Sequence, residues 1–213
     1  GNANRVILVA AKKDKVDSYM SLFKEMGLDI ANIEVDTVAV LNAFQRLGLE
    51  TNEEAAWAMV NIGSRFSNMN IVTKSHPYFT RDILWGGADV TNRIKDALGL
   101  GADQAEALKR DPAEKKADIS AAMMPAFEKI ISEIRMSFDY FETQFGKNID
   151  RLYVSGGTAY LFNMMDVLKE YLGINVILWN PFEGVNTADQ SIDKELKNLP
   201  GQYAVAVGLA LRK

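Results

Sequence analysis

Three glycine-bearing junctions carry the residue types best suited to chemistry in this chain. Gly63 and Ser64 stand in a short turn between two β-branched runs. A glycine there permits positive φ and close backbone approach, so that successive N–H groups can converge on a phosphate. An ordinary hairpin turn asks for the same glycine. Gly156, Gly157 and Thr158 lie between a buried-looking strand and a helix. Two glycines at such a place let a flat ring or a sugar rest against the backbone, beside helix N-terminal amides suited to phosphate. The competing reading is a plain strand-to-helix connection with Thr158 as N-cap, which gives no reason for two glycines. Gly86 and Gly87, followed by Asp89 and Thr91, form a third junction, equally readable as a strand kink before a capped helix. Ligands of open α/β sheets gather at the carboxyl ends of the strands, so the three junctions inform most when read together.

Composition removes other chemistries. The 213 residues include no cysteine, which excludes disulfides, thiolate metal sites and Cys nucleophiles. The single histidine, His76, leaves multi-His zinc sites without material and reads as a turn residue beside Pro77. A formal net charge of -4 argues against nucleic-acid binding through bulk charge. Hydrophobic residues at 48% and charged residues at 24% fit a globular chain rather than a disordered one. The apolar runs 6–11 and 204–206 are too short to span a bilayer.

The elements that would position the junctions follow from periodicity. Residues 5–11 read as a strand and 29–35 as another, separated by a helix whose Val16, Tyr19, Met20, Phe23 and Met26 share one face. Asp36 is a candidate N-cap for a helix over 37–47. The polar stretch 49–54 is the best boundary. After it come strands over 56–62, 68–74 and 78–85, joined by turns short enough for antiparallel pairing, then a helix over 88–98. A helical insertion follows, broken at Asp111-Pro112. Its second part carries one apolar stripe, Phe127, Ile130, Ile131, Ile134, Phe138, Phe141 and Phe145, with Pro125 fitting a first turn or a kink. A strand over 151–155, a helix over 159–172, a strand over 175–179, a polar loop and an apolar closing helix over 203–212 complete the chain. Trp85 and Trp179, each beside a strand end, read as packing residues.

With the insertion set aside, residues from Ala56 onward read β, β, β, α, β, α, β, α. That is the order of a ribonuclease-H-like domain, two of which make the actin, Hsp70 and sugar-kinase architecture. The segments 60–64 (VNIGS), 79–87 (FTRDILWGG), 131–140 (ISEIRMSFDY), 152–158 (LYVSGGT), 180–182 (NPF) and 203–211 (YAVAVGLAL) resemble the PilM family of type IV pilus assembly proteins. That family is related to the cell-division protein FtsA and is actin-like, and the resemblance runs over essentially the whole chain.

The resemblance implies an α/β fold: an actin-like (ribonuclease-H-like) domain with a mixed five-stranded sheet and a helical insertion, preceded by a partial small α/β subdomain. Residues 1–50 would be the remnant of subdomain 1C and the returning helix of subdomain 1A. Residues 51–213 would be the second actin-like half, 2A, with the helical 2B insertion at about 100–146. Asn61, Gly63, Ser64 and Arg65 match the second phosphate loop, and Gly156, Gly157 and Thr158 the adenosine-side motif. Glu133 and Arg135 lie on a helix that passes the nucleotide cleft in the family, or form only a solvated pair. The implied cofactors are ATP and Mg²⁺ in the intact protein. The family's first phosphate hairpin has no counterpart here, so this chain alone is expected to bind little or no nucleotide, with Gly1 marking a truncation.

In function, the resemblance implies a cytoplasmic scaffold held at the inner face of the inner membrane. It would dock the N-terminal segment of an inner-membrane partner similar to PilN. Where the family usually has Asp-Ile-Gly, this chain has Asn61-Ile62-Gly63, and a neutral amide is a poorer partner for hydrated Mg²⁺ or an attacking water. Weak or absent hydrolysis is therefore expected. An active ATPase or phosphotransferase of the sugar-kinase and actin superfamily needs a carboxylate base, and none of Asp82, Asp89 or Asp103 stands in a motif that demands it. An FtsA-like division protein would carry a C-terminal amphipathic membrane helix, whereas the last helix here reads as core.

Overall fold

The strand that follows residue 55 buries both of its faces. In β1 (Ala56–Ile62), Ala56, Ala58, Val60 and Ile62 point into one apolar core and Trp57 and Met59 into a second. A strand of this kind must be central in its sheet, with helices on either side. The computed structural model, which describes residues 8–46, 56–73, 76–185, 196 and 198–212, places it so. β2 (Ser67–Thr73) and β3 (His76–Ile83) add to one side of β1 as antiparallel neighbours. β4 (Ile149–Ser155) pairs with the other side in parallel, and β5 (Asn175–Leu178) continues in parallel beyond it. The strand order is β3-β2-β1-β4-β5, the mixed five-stranded sheet expected from the sequence.

On one face, α3 (Gly87–Leu98), α4 (Ala102–Arg110), the 30-residue α5 (Lys116–Phe145) and α6 (Met164–Leu172) enclose the larger core. The stripe on α5 behaves as its spacing requires: Phe127, Ile130, Ile131, Ile134, Phe138 and Phe141 are buried and Phe145 packs beside them. On the opposite face lie α2 (Asp36–Arg46) and the closing helix α7 (Ala204–Ala210), over Trp57, Tyr153 and Trp179. Phe44 meets all three of those rings edge-on or nearly so, at centroid distances of 6.2, 4.9 and 5.6 Å. Trp179 and Trp85 are both buried, as packing residues should be. The two helices cross without a side chain between them, because a Cβ on Gly208 would stand 1.7 Å from the Ala39 carbonyl oxygen.

The chain divides into two compact units, Gly1–Glu34 and Val35–Lys213. The division precedes α2, whose Val40, Leu41, Ala43 and Phe44 belong to the core of the second unit. In the first unit, α1 (Lys13–Glu25) forms as its periodicity predicts but buries no side chain.

Several sequence readings require correction. No strand forms over 29–35, and residues 8–11 of the expected first strand are likewise unpaired; residues 5–7 lie outside the described part. A strand is stable only when a neighbour takes its ladder bonds, and no described residue of this unit offers one. His76 opens β3 rather than sitting in the turn. Asp36 is the first residue of α2, not its cap. Pro125, itself exposed, lies well inside α5 rather than in its first turn. The helix expected over 159–172 is split: a 3-10 turn, Gly157–Tyr160, precedes α6, with Asn163 in the left-handed conformation between them (φ +61). Asparagine tolerates that conformation better than most residues.

Candidate functional site

The three glycine junctions meet. The Gly87 N–H donates to the Gly63 carbonyl at 3.0 Å, and the Ala88 N–H to the Ser64 carbonyl at 2.7 Å. The Thr158 hydroxyl donates to the same Gly63 carbonyl at 2.8 Å, so Gly63 is the knot that ties the other two junctions together. The parallel register of β1 and β4 brings this about, because Asn61 opposite Ser155 places residues 62–64 beside 156–158.

Most of the glycines owe their presence to that approach. A Cβ on Gly156, whose φ is +90, would fall 2.2 Å from the Ile62 carbonyl oxygen. On Gly86 it would lie 2.5 Å from the Ser64 carbonyl, and on Gly87 it would lie 2.7 Å from the Thr158 hydroxyl oxygen. Gly157 differs. Its nearest neighbour in that direction is the Gln202 Cβ at 4.0 Å, so its surface is open. The pair that the sequence presented as one motif therefore has two causes: Gly156 for backbone packing, Gly157 for an uncovered wall.

That wall lines a cleft of about 430 Å³, bounded by Gly63, Ser64, Gly87, Gly157 and Thr158 together with α4 and the segment around Leu199 and Gln202. Its size suits a small organic ligand. The Ser64 and Arg65 amides have no backbone acceptor among the described residues, and both residues are exposed. An anion placed there would meet free donors.

α4 contributes what the sequence did not disclose. Lys109 is only 6% exposed although it carries a charge. Its ammonium donates to the Gly87 carbonyl at 3.1 Å and to the Thr91 hydroxyl oxygen at 2.9 Å, and it pairs with Glu106. The Thr91 hydroxyl stands 2.6 Å from the Glu106 carboxylate and 3.0 Å from the Gly87 carbonyl. Arg110 shares that carboxylate at 3.2 Å. Two cations therefore rest on one anion, leaving a surplus positive charge at the cleft. Burial works to raise the Glu106 pKa, but the hydrogen bonds from Lys109, Thr91 and Arg110 and the Lys109 charge outweigh it and hold the carboxyl below its ordinary 4.5. Helical spacing did place Glu106, Lys109 and Arg110 on neighbouring positions. The signal that singles them out, a buried lysine reaching the Gly86-Gly87 junction, exists only in three dimensions.

Tyr160 also lines the cleft, and its hydroxyl oxygen accepts the Gly201 N–H at 2.8 Å. Burial raises its pKa, against the opposing effect of that bond.

Of the residues singled out from sequence, Gly63, Ser64, Gly157 and Thr158 line the cleft and Gly156 supports it. Arg65 follows in the same turn. Asn61 sits just behind, with its side-chain oxygen 3.1 Å from the Ser155 hydroxyl. Glu133 and Arg135 are not brought to the cleft. Glu133 pairs with Arg81 of β3, which also donates to the Ser137 hydroxyl, and Arg135 donates to the Tyr171 carbonyl of α6. Both stand on the middle of α5, where they tie it to its neighbours. Among the described residues no group of three or more His, Cys, Asp or Glu could hold a metal ion.

Over residues 1–213 the sequence matches the family described as "Type IV pilus assembly protein PilM". The chain belongs to this family. Its fold is similar to a chain of the solved "PilM-PilN type IV pilus biogenesis complex", with a TM-score of 0.83 at 26% identity over 95% of this chain and 58% of that one. It is also similar to the ethanolamine utilization protein EutJ from Carboxydothermus hydrogenoformans, with a TM-score of 0.69 at 18% identity over 94% and 62% of the two chains. A third likeness is to Ta0583, an archaeal actin homolog, with a TM-score of 0.57 at 14% identity over 84% and 54%. The latter two show the fold alone, which is actin-like. This PilM-family chain spans less than two thirds of the length of each of these relatives.

Proposed function

We propose that the protein is the actin-like scaffold of a type IV pilus assembly machine, that it works in the cytoplasm at the inner membrane, and that it binds ATP in the Gly63–Gly87–Gly157 cleft. The observation that carries the nucleotide reading is the meeting of the three glycine junctions around one open wall, with α4 supplying a surplus cation. The Gly157 surface and the Tyr160 ring offer a base or sugar a place to lie. The Ser64 and Arg65 amides face the phosphates, and Lys109 and Arg110 balance the charge. A Mg²⁺ ion would arrive with the nucleotide and lie chiefly against its phosphates, since Asn61 brings no charge to it. The Asn61 oxygen already faces Ser155.

Docking of the N-terminal segment of a PilN-like inner-membrane protein rests on family membership and on the likeness to a PilM-PilN complex. No helix among the described residues is long and apolar enough to cross a membrane, so attachment through such a partner is the reading we favour.

The active-enzyme reading meets a specific obstacle. Asp89 accepts the Gly86 N–H at 3.0 Å and Asp82 accepts from the Asn68 amide at 2.7 Å, and none of Asp82, Asp89 or Asp103 is among the residues that line the cleft. Calorimetric titration of the full-length protein with ATP and Mg²⁺ tests the nucleotide reading, and saturable binding is expected. A turnover assay is expected to stay near background; sustained hydrolysis would favour the enzyme instead. A pull-down with the N-terminal peptide of the PilN-like protein tests the docking, and failure of the full-length protein to bind it would remove the scaffold reading.

A further inference from the structure

β3 ends the sheet. It pairs with β2 on one side, and on the other its row of N–H and C=O groups meets no strand among the described residues. Its register with β2 shifts between Ile71 and Val72, so the regular part of this open edge is 79–83. Such a row is complemented best by the backbone of another extended chain. α5 lies alongside it. Arg81 donates to the Ser137 hydroxyl at 3.0 Å and pairs with Glu133, and the Phe79 and Tyr140 ring centroids are 5.6 Å apart. Strand edge and helix enclose a hollow of about 280 Å³, lined by Phe79, Arg81, Met136, Ser137 and Tyr140. Met136 is 48% exposed and Tyr140 53%, so the apolar part of this lining is open to a partner.

We propose that this groove takes an extended segment of a partner protein, which adds a sixth strand beside β3. The segment seats a large apolar side chain on Phe79, Met136 and Tyr140 and carries Lys or Arg on either side of it. An open ladder supplies affinity, and a hollow beside it reads every second side chain, because neighbouring residues of a strand face opposite ways. The preference for basic flanks follows from the charges at the rim. Arg81 is balanced by Glu133, and Arg135 is drawn away to the Tyr171 carbonyl of α6. Asp82 on β3 and Asp139 on α5 are both exposed, and neither pairs with a cation among the described residues. A second copy of this chain is a poorer occupant, since it would bring its own Asp82 and Asp139 to an acidic rim. The groove shares no lining residue with the glycine cleft, so its occupancy does not depend on the nucleotide reading.

The probe is the end-blocked peptide Lys-Val-Lys-Phe-Lys-Val-Lys, titrated into the full-length protein by calorimetry, with hydrogen exchange on the same samples. It is expected to bind saturably and to slow amide exchange in 79–83 by at least about tenfold, while 56–62 is unchanged. In an added strand only every second N–H faces β3. Methylating that alternate set of peptide nitrogens should weaken binding by at least about tenfold, and methylating the other set by much less. Glu in place of each Lys should also cost at least about tenfold. Met136→Gln and Tyr140→Ser alter exposed side chains, so each should keep the parent melting temperature yet bind the peptide at least about fivefold more weakly. No saturable binding, protection elsewhere than 79–83, equal tolerance of both methylated sets, or equal affinity for the Glu peptide overturns the proposal. So does a concentration-dependent dimer that Tyr140→Ser abolishes, which would assign the edge to a second copy instead.

Discussion

The glycine-lined cleft and helix α1 both announce themselves in the sequence, yet among the described residues only the cleft has neighbours that account for it. At the cleft, each unusual residue has a neighbour that accounts for it: Gly156 has the Ile62 backbone, Gly86 has Ser64, and Thr158 has the Gly63 carbonyl. On α1 the apolar face is equally regular, but Tyr19, Met20, Phe23 and Met26 are all substantially exposed and no side chain of the helix is buried. The difference shows what each kind of signal contains. An amphipathic stripe specifies that a partner surface exists and nothing about where it is. A glycine without room for a Cβ specifies its partner to within a fraction of an ångström.

Substitutions that break this contrast should differ widely in effect. The largest loss is expected for Gly208→Ala, which drives a methyl into the Ala39 carbonyl between two buried helices. Gly156→Ala should follow closely, being both clashing and at φ +90. Each should cost about 4 kcal/mol or more, the range reserved for core overpacking and backbone strain, or prevent folding outright; urea melts or soluble yield would show it. Lys109→Met removes the cation that joins α4 to Gly87 and leaves Glu106 to Arg110 and Thr91. About 2 kcal/mol of stability should go with it, as for charged hydrogen bonds. ATP affinity should fall at least about tenfold. A Lys109→Met protein as stable as its parent would mean that α4 is not held through this network.

Thr158→Val deletes one buried hydrogen bond to the Gly63 carbonyl and should lower stability by about 1 kcal/mol. A gentler probe is pH. The Glu106 pKa is lowered in the folded chain, so its contribution is fully present above 4.5 and is lost as pH falls through the lower folded value. Glu106→Gln should accordingly flatten the acid limb of the stability curve, and an unchanged limb would remove Glu106 as its source. The smallest effect belongs to α1, where Phe23→Ser should shift the melt by no more than about 0.5 kcal/mol. A larger loss would reveal a partner surface within this chain.

Much of the fold could be read before any coordinates. Three strands with short joints, then alternating units, are the order of a ribonuclease-H-like domain, the family resemblance implies the mixed five-stranded sheet, and the α5 stripe places itself by its period. The errors arose where a local pattern needed a distant partner. Residues 29–35 carry a β-like sequence, but no described neighbour completes a ladder for them. Glu133 and Arg135 are a different case: they sit on the expected helix, and their bonds to β3 and α6 are a matter of rotation and level along α5 that spacing does not reveal. Lys109 was invisible for the converse reason: a lysine on a charged helix looks solvated until the fold buries it. Gly156 and Gly157 are adjacent and chemically identical, and only packing separates the structural one from the one that faces the cleft.

That separation supplies the most direct test. Gly157→Ala has space for its Cβ, 4.0 Å from the Gln202 Cβ, and leaves the backbone contacts intact, but it puts a methyl on the open wall of the cleft. Calorimetric titration of the full-length protein and this variant with ATP and Mg²⁺ should show saturable binding in the first. In the second, affinity should be weaker by at least about tenfold, 1.4 kcal/mol, with an unchanged melting temperature. Equal binding by both would contradict the assignment of this cleft as the nucleotide site.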